Sequence, residues 1–168
     1  MRSMALVVLV SSGCGLVSFD VTAVIPEQTV PGSPLGGILP SFLAAPVPLQ
    51  VDLRQETQRR STGPARTARL SSITLAATPH DSPSGNFDFL DQIHVYVDSA
   101  NDSSLPKREV AKLEPVPRGQ TSLSLAIVPD VELLPYINQG AEISAQATGR
   151  QPTREFHYDG VVVIKVGL

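Results

Sequence analysis

The chain has 168 residues and a formal net charge of -3, which suggests one domain with short tails. This weakly acidic balance argues against a nucleic-acid partner, because a general nucleic-acid-binding protein has a basic face and a high isoelectric point. Hydrophobic residues make up 42% of the chain, but only 5% of it is aromatic and Trp is absent. An apolar fraction of Val, Ile, Leu and Ala, mixed with Ser and Thr, favours pleated sheet over helix.

The amino terminus has the pattern of an export signal. Arg2 precedes an apolar run from Met4 to Val10, and small residues then lead to Cys14, the only cysteine in the chain. A positive start, a short apolar core and small residues before a cleavage point are typical of secretory signals. The apolar run is too short to cross a bilayer as a helix, which needs about 20 residues.

The residues around Cys14 also suggest a lipid anchor. The stretch Val10-Ser11-Ser12-Gly13-Cys14 resembles the lipobox of bacterial lipoproteins, in which an aliphatic residue and two small residues precede the modified cysteine. Ser12 and Gly13 match that pattern. Ser11 stands where Leu is usual in the family, and the aliphatic Val10 lies one position early.

The resemblance implies how the chain is processed and in which membrane it is located. Residues 1–13 would be the signal peptide, and Cys14 would become the mature amino terminus, with a diacylglycerol on its thiol and a fatty acyl chain such as palmitate on its amine. Buried acyl chains would anchor the protein to the membrane of the cell envelope. Gly15 follows Cys14, and the lack of Asp there implies transport to the outer membrane, as in lipoproteins of enteric bacteria. The alternatives are plain secretion after cleavage and a buried Cys14 in an uncleaved first strand.

The rest of the chain, residues 14–168, reads as a single domain of short strands. From Leu16 to Ile25 apolar and polar residues alternate, which is the pattern of a half-buried strand. Similar alternation recurs along the chain, whereas Asp130 to Asn138 is predicted to form one or two helical turns. The further predicted strands are Val47–Leu53, Ile73–Ala77, Ile93–Val97, Arg108–Val116, Leu123–Ile127, Ala141–Ala147 and Phe156–Val166.

About eight short strands at regular spacing predict an all-β fold. We expect an antiparallel, immunoglobulin-like β-sandwich, with a small closed β-barrel as the alternative. The Cys pair around a Trp that marks true immunoglobulin domains is absent. Residues 26–46 are rich in Pro and Gly, which predicts a long loop. Its large apolar residues either pack over the end of the domain or form an exposed element that contacts a membrane or a partner; these residues are Leu35, Ile38, Leu39, Phe42 and Leu43.

A basic segment follows the second predicted strand. It carries Arg54, Arg59, Arg60, Arg66 and Arg69, against Glu56 alone. We interpret it as a candidate contact with anionic lipid or lipopolysaccharide headgroups near the anchor. The alternative is a solvated loop.

No arrangement of residues in the sequence specifies catalysis, and we predict no catalytic residue, metal or cofactor. His80, His94 and His157 lack the spacing of metal ligands, and no serine stands in a G-x-S-x-G elbow. A stretch from His80 to Asp102 is rich in Asp, but its spacing matches no EF-hand loop, and Asp residues are common in turns.

Three hypotheses for function follow. The first is a lipid-anchored binding or scaffolding module of the cell envelope, whose partners are the membrane, an envelope protein or an anionic headgroup. The second is an envelope hydrolase acting on glycan or lipid, with acidic residues in a cleft. The third is a carrier of a small apolar ligand held between the sheets, which the small residues at predicted inward positions suggest; these are Ala77, Ala111, Ala145 and Ala147.

Overall fold

The computed structural model describes residues 18–35, 37–39, 42–49, 51–78 and 85–168, with only the backbone for residues 42–45. Within this part of the chain, two antiparallel sheets pack face to face without closing into a barrel. The predicted all-β sandwich is therefore confirmed. Cys14, His80 and Asp81 lie outside the described residues.

The nine strands of the described residues form one four-stranded and one five-stranded sheet. The elements are β1 (Ser18–Val30), β2 (Phe42–Pro48), α1 (Leu53–Arg59), β3 (Thr67–Ala77), β4 (Leu90–Ser99), β5 (Arg108–Leu113), β6 (Ser122–Ser124), β7 (Ala126–Ile127), α2 (Leu134–Asn138), β8 (Ala141–Gly149) and β9 (Phe156–Gly167). The first sheet has the order β1-β9-β3-β6, and the second has the order β2-β8-β4-β5-β7. The edge strands β1 and β2 therefore lie on the same side of the sandwich, where the two strands contact each other.

β1 is longer than the alternating pattern predicted. It continues through Pro26 to Val30, with a register shift against β9 between Ile25 and Gln28. Pro is tolerated at such a bulge and in an edge strand, because its missing N–H removes no hydrogen bond of a regular ladder. The loop predicted over residues 26–46 is correspondingly shorter, because strands occupy both of its ends.

The prediction of a strand over Val47–Leu53 is partly wrong. β2 ends at Pro48, and Leu53 begins the helix α1. The Asp52 side chain accepts a hydrogen bond from the backbone N–H of Gln55 at 3.0 Å, which caps the helix. Leu53 and Thr57 are the buried residues of this helix, and they lie one turn apart on one face.

The predicted strand Leu123–Ile127 is divided between the two sheets. β6 pairs with β3 in the first sheet, whereas β7 pairs with β5 in the second. Leu125 lies at the crossing and is buried. The predicted helical turns are confirmed over Leu134–Asn138.

The core lies between the inner faces of the sheets. β9 is central in the first sheet, and its alternate residues Val162, Ile164 and Val166 are fully buried. At the end of the sandwich where β9 begins, four aromatic rings close the core. Phe87 is fully buried, and its ring centroid lies 5.0 Å from that of Phe156 in edge-to-face contact, a favourable geometry for aromatic pairs.

Candidate functional surfaces

The basic segment lies at the end of the sandwich where β1 begins. Ser18 and Thr67 both pair with Gly167, and the backbone N–H of Arg66 donates to the carbonyl of Gly167 at 2.9 Å. The guanidinium of Arg60 lies 4.5 Å from the ring centroid of Phe19. We call this end the base, defined by residues 18–20, α1 with the turn to residue 67, and residue 167. Because Cys14 precedes Ser18 by four positions, the basic segment lies near the expected anchor.

Three of the five predicted contact arginines form ion pairs inside the protein. Arg59 and Arg60 both reach the carboxylate of Glu56, at 3.3 and 2.9 Å. Arg69 lies 3.2 Å from a carboxylate oxygen of Asp130 and 3.9 Å from one of Glu132. These acidic partners reduce the positive charge that the base presents to a surface.

Arg54 and Arg66 form no ion pair within the described residues. Both are exposed. They are therefore the arginines of the predicted site whose charge the described part of the chain leaves uncompensated.

At the opposite end, the loop after β1 is bound to the connection between β8 and β9. We call this end the apex, defined by residues 31–35, 37–39 and 149–154. The N–H of Ser33 donates to the carbonyl of Pro152 at 2.8 Å, and the N–H of Gln151 donates to that of Gly37 at 2.9 Å. These hydrogen bonds hold the two segments together although neither segment forms a regular strand there.

The described apolar residues of this loop are divided between the core and the surface. Leu39 is buried at 4% exposure and packs into the core, whereas Leu35 and Ile38 are 97% and 91% exposed. The side chains of Phe42 and Leu43 lie outside the described residues. The apex therefore fixes itself through Leu39 and presents two large apolar side chains to solvent.

The described histidines lie beside carboxylates. The Nδ1 atom of His94 is 3.3 Å from an oxygen of Glu109. The Nε2 atom of His157 is 3.0 Å from an oxygen of Glu155, and its Nδ1 atom is 3.1 Å from the Thr29 hydroxyl. His94 belongs to β4 in one sheet and His157 to β9 in the other, so the fold does not bring them to one site.

The Asp-rich stretch is divided between the two ends of the sandwich. The Asp88 side chain accepts hydrogen bonds from Asn86 and from the backbone of Gly119, and Asp91 pairs with Arg118 at 2.8 Å. Asp98 lies near the far end of β4, and Asp102 follows that end. No group of three or more potential metal ligands occurs among the residues that the structure describes.

A small apolar cavity lies between the sheets. Its volume is about 30 Å³, and its lining includes Ile25, Val47, Leu75 and Tyr158. Burial raises the pKa of the Tyr158 hydroxyl above its usual range, so this group stays neutral. The cavity has room for about two water molecules, so it offers no support to the hypothesis of an apolar-ligand carrier.

The search against protein-family models, curated proteins and solved structures found no match. In the described residues, none of the helices combines the length and apolar character needed to span a bilayer. The described residues form a two-sheet β-sandwich. At the base, acidic partners pair with three of the five arginines, and the apex presents apolar side chains to solvent.

The sequence did not predict that two arginines lie beside this loop. Arg150 and Arg154 flank the exposed loop, since Arg150 pairs with Ile38 in an isolated bridge and Gly32 lies against the backbone of Arg154. More than a hundred positions separate these arginines from the loop in the sequence. No local pattern could therefore associate them with it.

Proposed function

We propose that the protein is a lipid-anchored binding or scaffolding module of the bacterial cell envelope, held at the outer membrane through acylated Cys14. The observation that carries this proposal is the position of β1. It begins at Ser18, four positions after Cys14, and a fully extended chain spans at most about 14 Å over that distance. The folded domain would therefore sit directly on the membrane that holds the acyl chains.

The arginines of the base fit this arrangement. Arg54 and Arg66 are exposed and lie in the segment from α1 to β3, and Arg66 is hydrogen-bonded to the strand beside the start of β1. Cations close to an anchored surface attract anionic headgroups. Arg59, Arg60 and Arg69 are already paired with acids, so we expect them to contribute less to such contacts.

The binding or scaffolding role is supported by the architecture of the domain. The described core is formed by apolar side chains from both sheets, and the charged groups described above lie on its surface in pairs. Such a domain offers faces and loops for docking. The hydrolase remains the alternative hypothesis, and none of the side-chain pairs described above favours it specifically.

The test is the intact mass of the full-length protein purified from membranes, for the wild type and for Cys14→Ala. We expect the wild type to have the mass of residues 14–168 with a diacylglyceryl group and an added acyl chain. Cys14→Ala should lose both modifications. Ser12→Ala keeps a small residue in the leader and is the matched control, so its mass should equal that of the wild type.

Two results would contradict the proposal. A wild-type protein without acyl groups would remove the anchor. A wild-type mass that includes residues 1–13 would show that the leader is retained, and would favour the alternative of an uncleaved first strand.

A further inference from the structure

Four large apolar side chains of the described residues are exposed. They are Val24, Leu35, Ile38 and Val161, with exposures of 71%, 97%, 91% and 41%. Val24 and Val161 are cross-strand partners on the outer face of the first sheet. The other two follow β1 in the chain and lie at the apex.

The groove beside Val24 is lined by uncharged residues. An open groove of about 370 Å³ runs between the edges of β1 and β2, and its lining consists of Thr22, Ala23, Val24, Pro26, Val47 and Pro48. β1 carries Asp20 and Glu27 on either side of this groove, and their carboxylates lie 3.6 Å from Lys165 and 3.8 Å from His157. The side of the sandwich that carries β1 therefore combines an uncharged groove with an apolar end. This combination suits contact with a lipid surface better than contact with water.

Charge at the apex favours an anionic surface. Arg150 and Arg154 are exposed, and neither forms an ion pair within the described residues. Glu155 is adjacent in sequence, but its carboxylate lies 3.0 Å from His157. The apex thus holds two arginines without an ion pair together with the exposed Leu35 and Ile38. These are the two components of interfacial binding, which are buried apolar area and attraction to anionic lipid.

The size of the apex argues for a membrane over a protein partner. A specific protein interface uses roughly 20–30 residues on each side, whereas the apex presents two large apolar side chains on a short loop. An interfacial contact with lipid needs no complementary pocket, because the headgroup region adapts to the inserted side chains. The same two side chains are therefore sufficient for a membrane contact.

The dimensions of β1 relate the apex to the expected anchor. β1 has 13 residues, so its ends are about 40 Å apart. Its first residue lies at the base, near Cys14, and its last residue leads into the apex. Both ends can touch one bilayer only if β1 lies parallel to the membrane plane.

We propose that the side of the sandwich carrying β1 lies along an anionic bilayer, with Leu35 and Ile38 in the interfacial region and Arg150 and Arg154 on lipid phosphates. In this orientation the contact at the base rests on the proposed function, because it requires the acylated Cys14. The contact at the apex does not depend on acylation. The two proposals can therefore fail separately.

The test uses the full chain with Cys14→Ala, which removes the only native cysteine and with it any acyl anchor. A nitroxide label is attached through Ile38→Cys, or through Lys112→Cys in β5 of the other sheet as a control. We measure accessibility of the label to oxygen, which enters lipid, and to a water-soluble nickel chelate. Vesicles contain phosphatidylcholine with or without phosphatidylglycerol.

We expect phosphatidylglycerol vesicles to protect the label at position 38 from the nickel chelate and to leave the label at position 112 accessible. Equal accessibility at the two positions, or protection at position 112 alone, would overturn the proposal. Every variant keeps the same leader, so a difference between the two positions reports the orientation of the domain and not the binding of the leader.

A second arm tests the charges. The double variant Arg150→Gln with Arg154→Gln is made in the Ile38→Cys protein. It should lower the partition coefficient of the protein onto phosphatidylglycerol vesicles by about 30-fold, because each arginine near such a surface contributes about 1 kcal/mol. Arg108→Gln with Lys112→Gln removes the same charge from β5 and should change partitioning much less. If the two double variants weakened partitioning equally, net charge alone would be responsible and the proposed apex contact would be wrong.

Discussion

Arg69 shows how the role of a single side chain depends on residues far away in the sequence. In the segment from residue 54 to residue 69, Glu56 is the only acid to balance five arginines. Folding brings Asp130 and Glu132 to Arg69, and Glu132 also accepts a hydrogen bond from the backbone N–H of Ala68 at 2.6 Å. A formal count along the chain therefore overestimates the positive charge available to a membrane.

Asp102 gives a prediction at the same scale. Its carboxylate accepts hydrogen bonds from the Ser104 hydroxyl at 2.6 Å and from the Ser104 backbone N–H at 2.9 Å. These bonds, the hydroxyl first, hold the pKa of Asp102 below its usual value. We expect Ser104→Ala to raise this pKa towards the ordinary value of an Asp, while the remaining amide bond still lowers it.

The sign of the linked stability change follows from the direction of the shift. Because the native carboxylate binds a proton less readily than the unfolded one, its stabilisation is present above pH of about 4 and is lost as pH falls through the native pKa. An NMR titration of Asp102 in the wild type and in Ser104→Ala measures the shift. Ser103→Ala is the control, and an unchanged Asp102 titration in Ser104→Ala would contradict the assignment.

The apex is an element whose geometry depends on close backbone packing. A Cβ atom at Gly32 would lie 2.2 Å from the carbonyl carbon of Arg154, far inside van der Waals contact. We expect Gly32→Ala to separate the two segments of the apex and to lower the free energy of unfolding by about 1–3 kcal/mol, as overpacking does elsewhere. Urea denaturation monitored by circular dichroism measures the change.

Gly63 is the matched control for this substitution. A Cβ atom there has no neighbour within 4 Å, so Gly63→Ala should change the free energy of unfolding by no more than about 0.5 kcal/mol. If Gly32→Ala were as stable as Gly63→Ala, the contact between the two segments of the apex would be looser than the structure shows. A nitroxide label at position 38 would then not report the position of a fixed loop.

For the whole molecule, the arrangement of base, β1 and apex defines an orientation. The base adjoins the expected anchor, and the uncharged groove beside β1 lies between the base and the apex, which presents Leu35 and Ile38. The outer face of the other sheet includes the His94–Glu109 pair and the cation–π contact between Lys107 and Tyr96. In the proposed orientation β5 and β7, at the edge of this sheet opposite to β2, lie farthest from the bilayer, where an envelope partner would have access.

The expected location of the protein in the outer membrane leads to a prediction at this scale. The lipoprotein resemblance implies that Gly15 permits transport to the outer membrane and that Asp at this position would retain the protein in the inner membrane. We expect Gly15→Asp to move the protein to the inner-membrane fraction of a density gradient, with acylation unchanged. Gly15→Ser should stay with the wild type, and an outer-membrane location of Gly15→Asp would exclude this sorting rule for the protein.

Some features of the fold could be predicted because their cause is local. Alternation of apolar and polar residues predicted the strands β4, β8 and β9 at nearly their observed positions, since the period of two is imposed by the pleat itself. The helix α1 was missed although its signal was present. Asp52 is a good cap, and Leu53 and Thr57 have helical spacing, but the alternation before residue 53 was extended too far.

The sequence by itself determined the leader pattern at Cys14, the all-β class and most strand positions, because each depends on neighbouring residues and on the geometry of the backbone. Only the tertiary structure decided which arginines stay uncompensated, which loop residues are exposed and where these groups lie relative to one another. Arg150 and Arg154 lie at the same end of the sandwich as Leu35 and Ile38 because β1 and β9 pair antiparallel. Pairing of this kind places residues from distant parts of the chain at the same end of a sheet, and that proximity is absent from any local pattern.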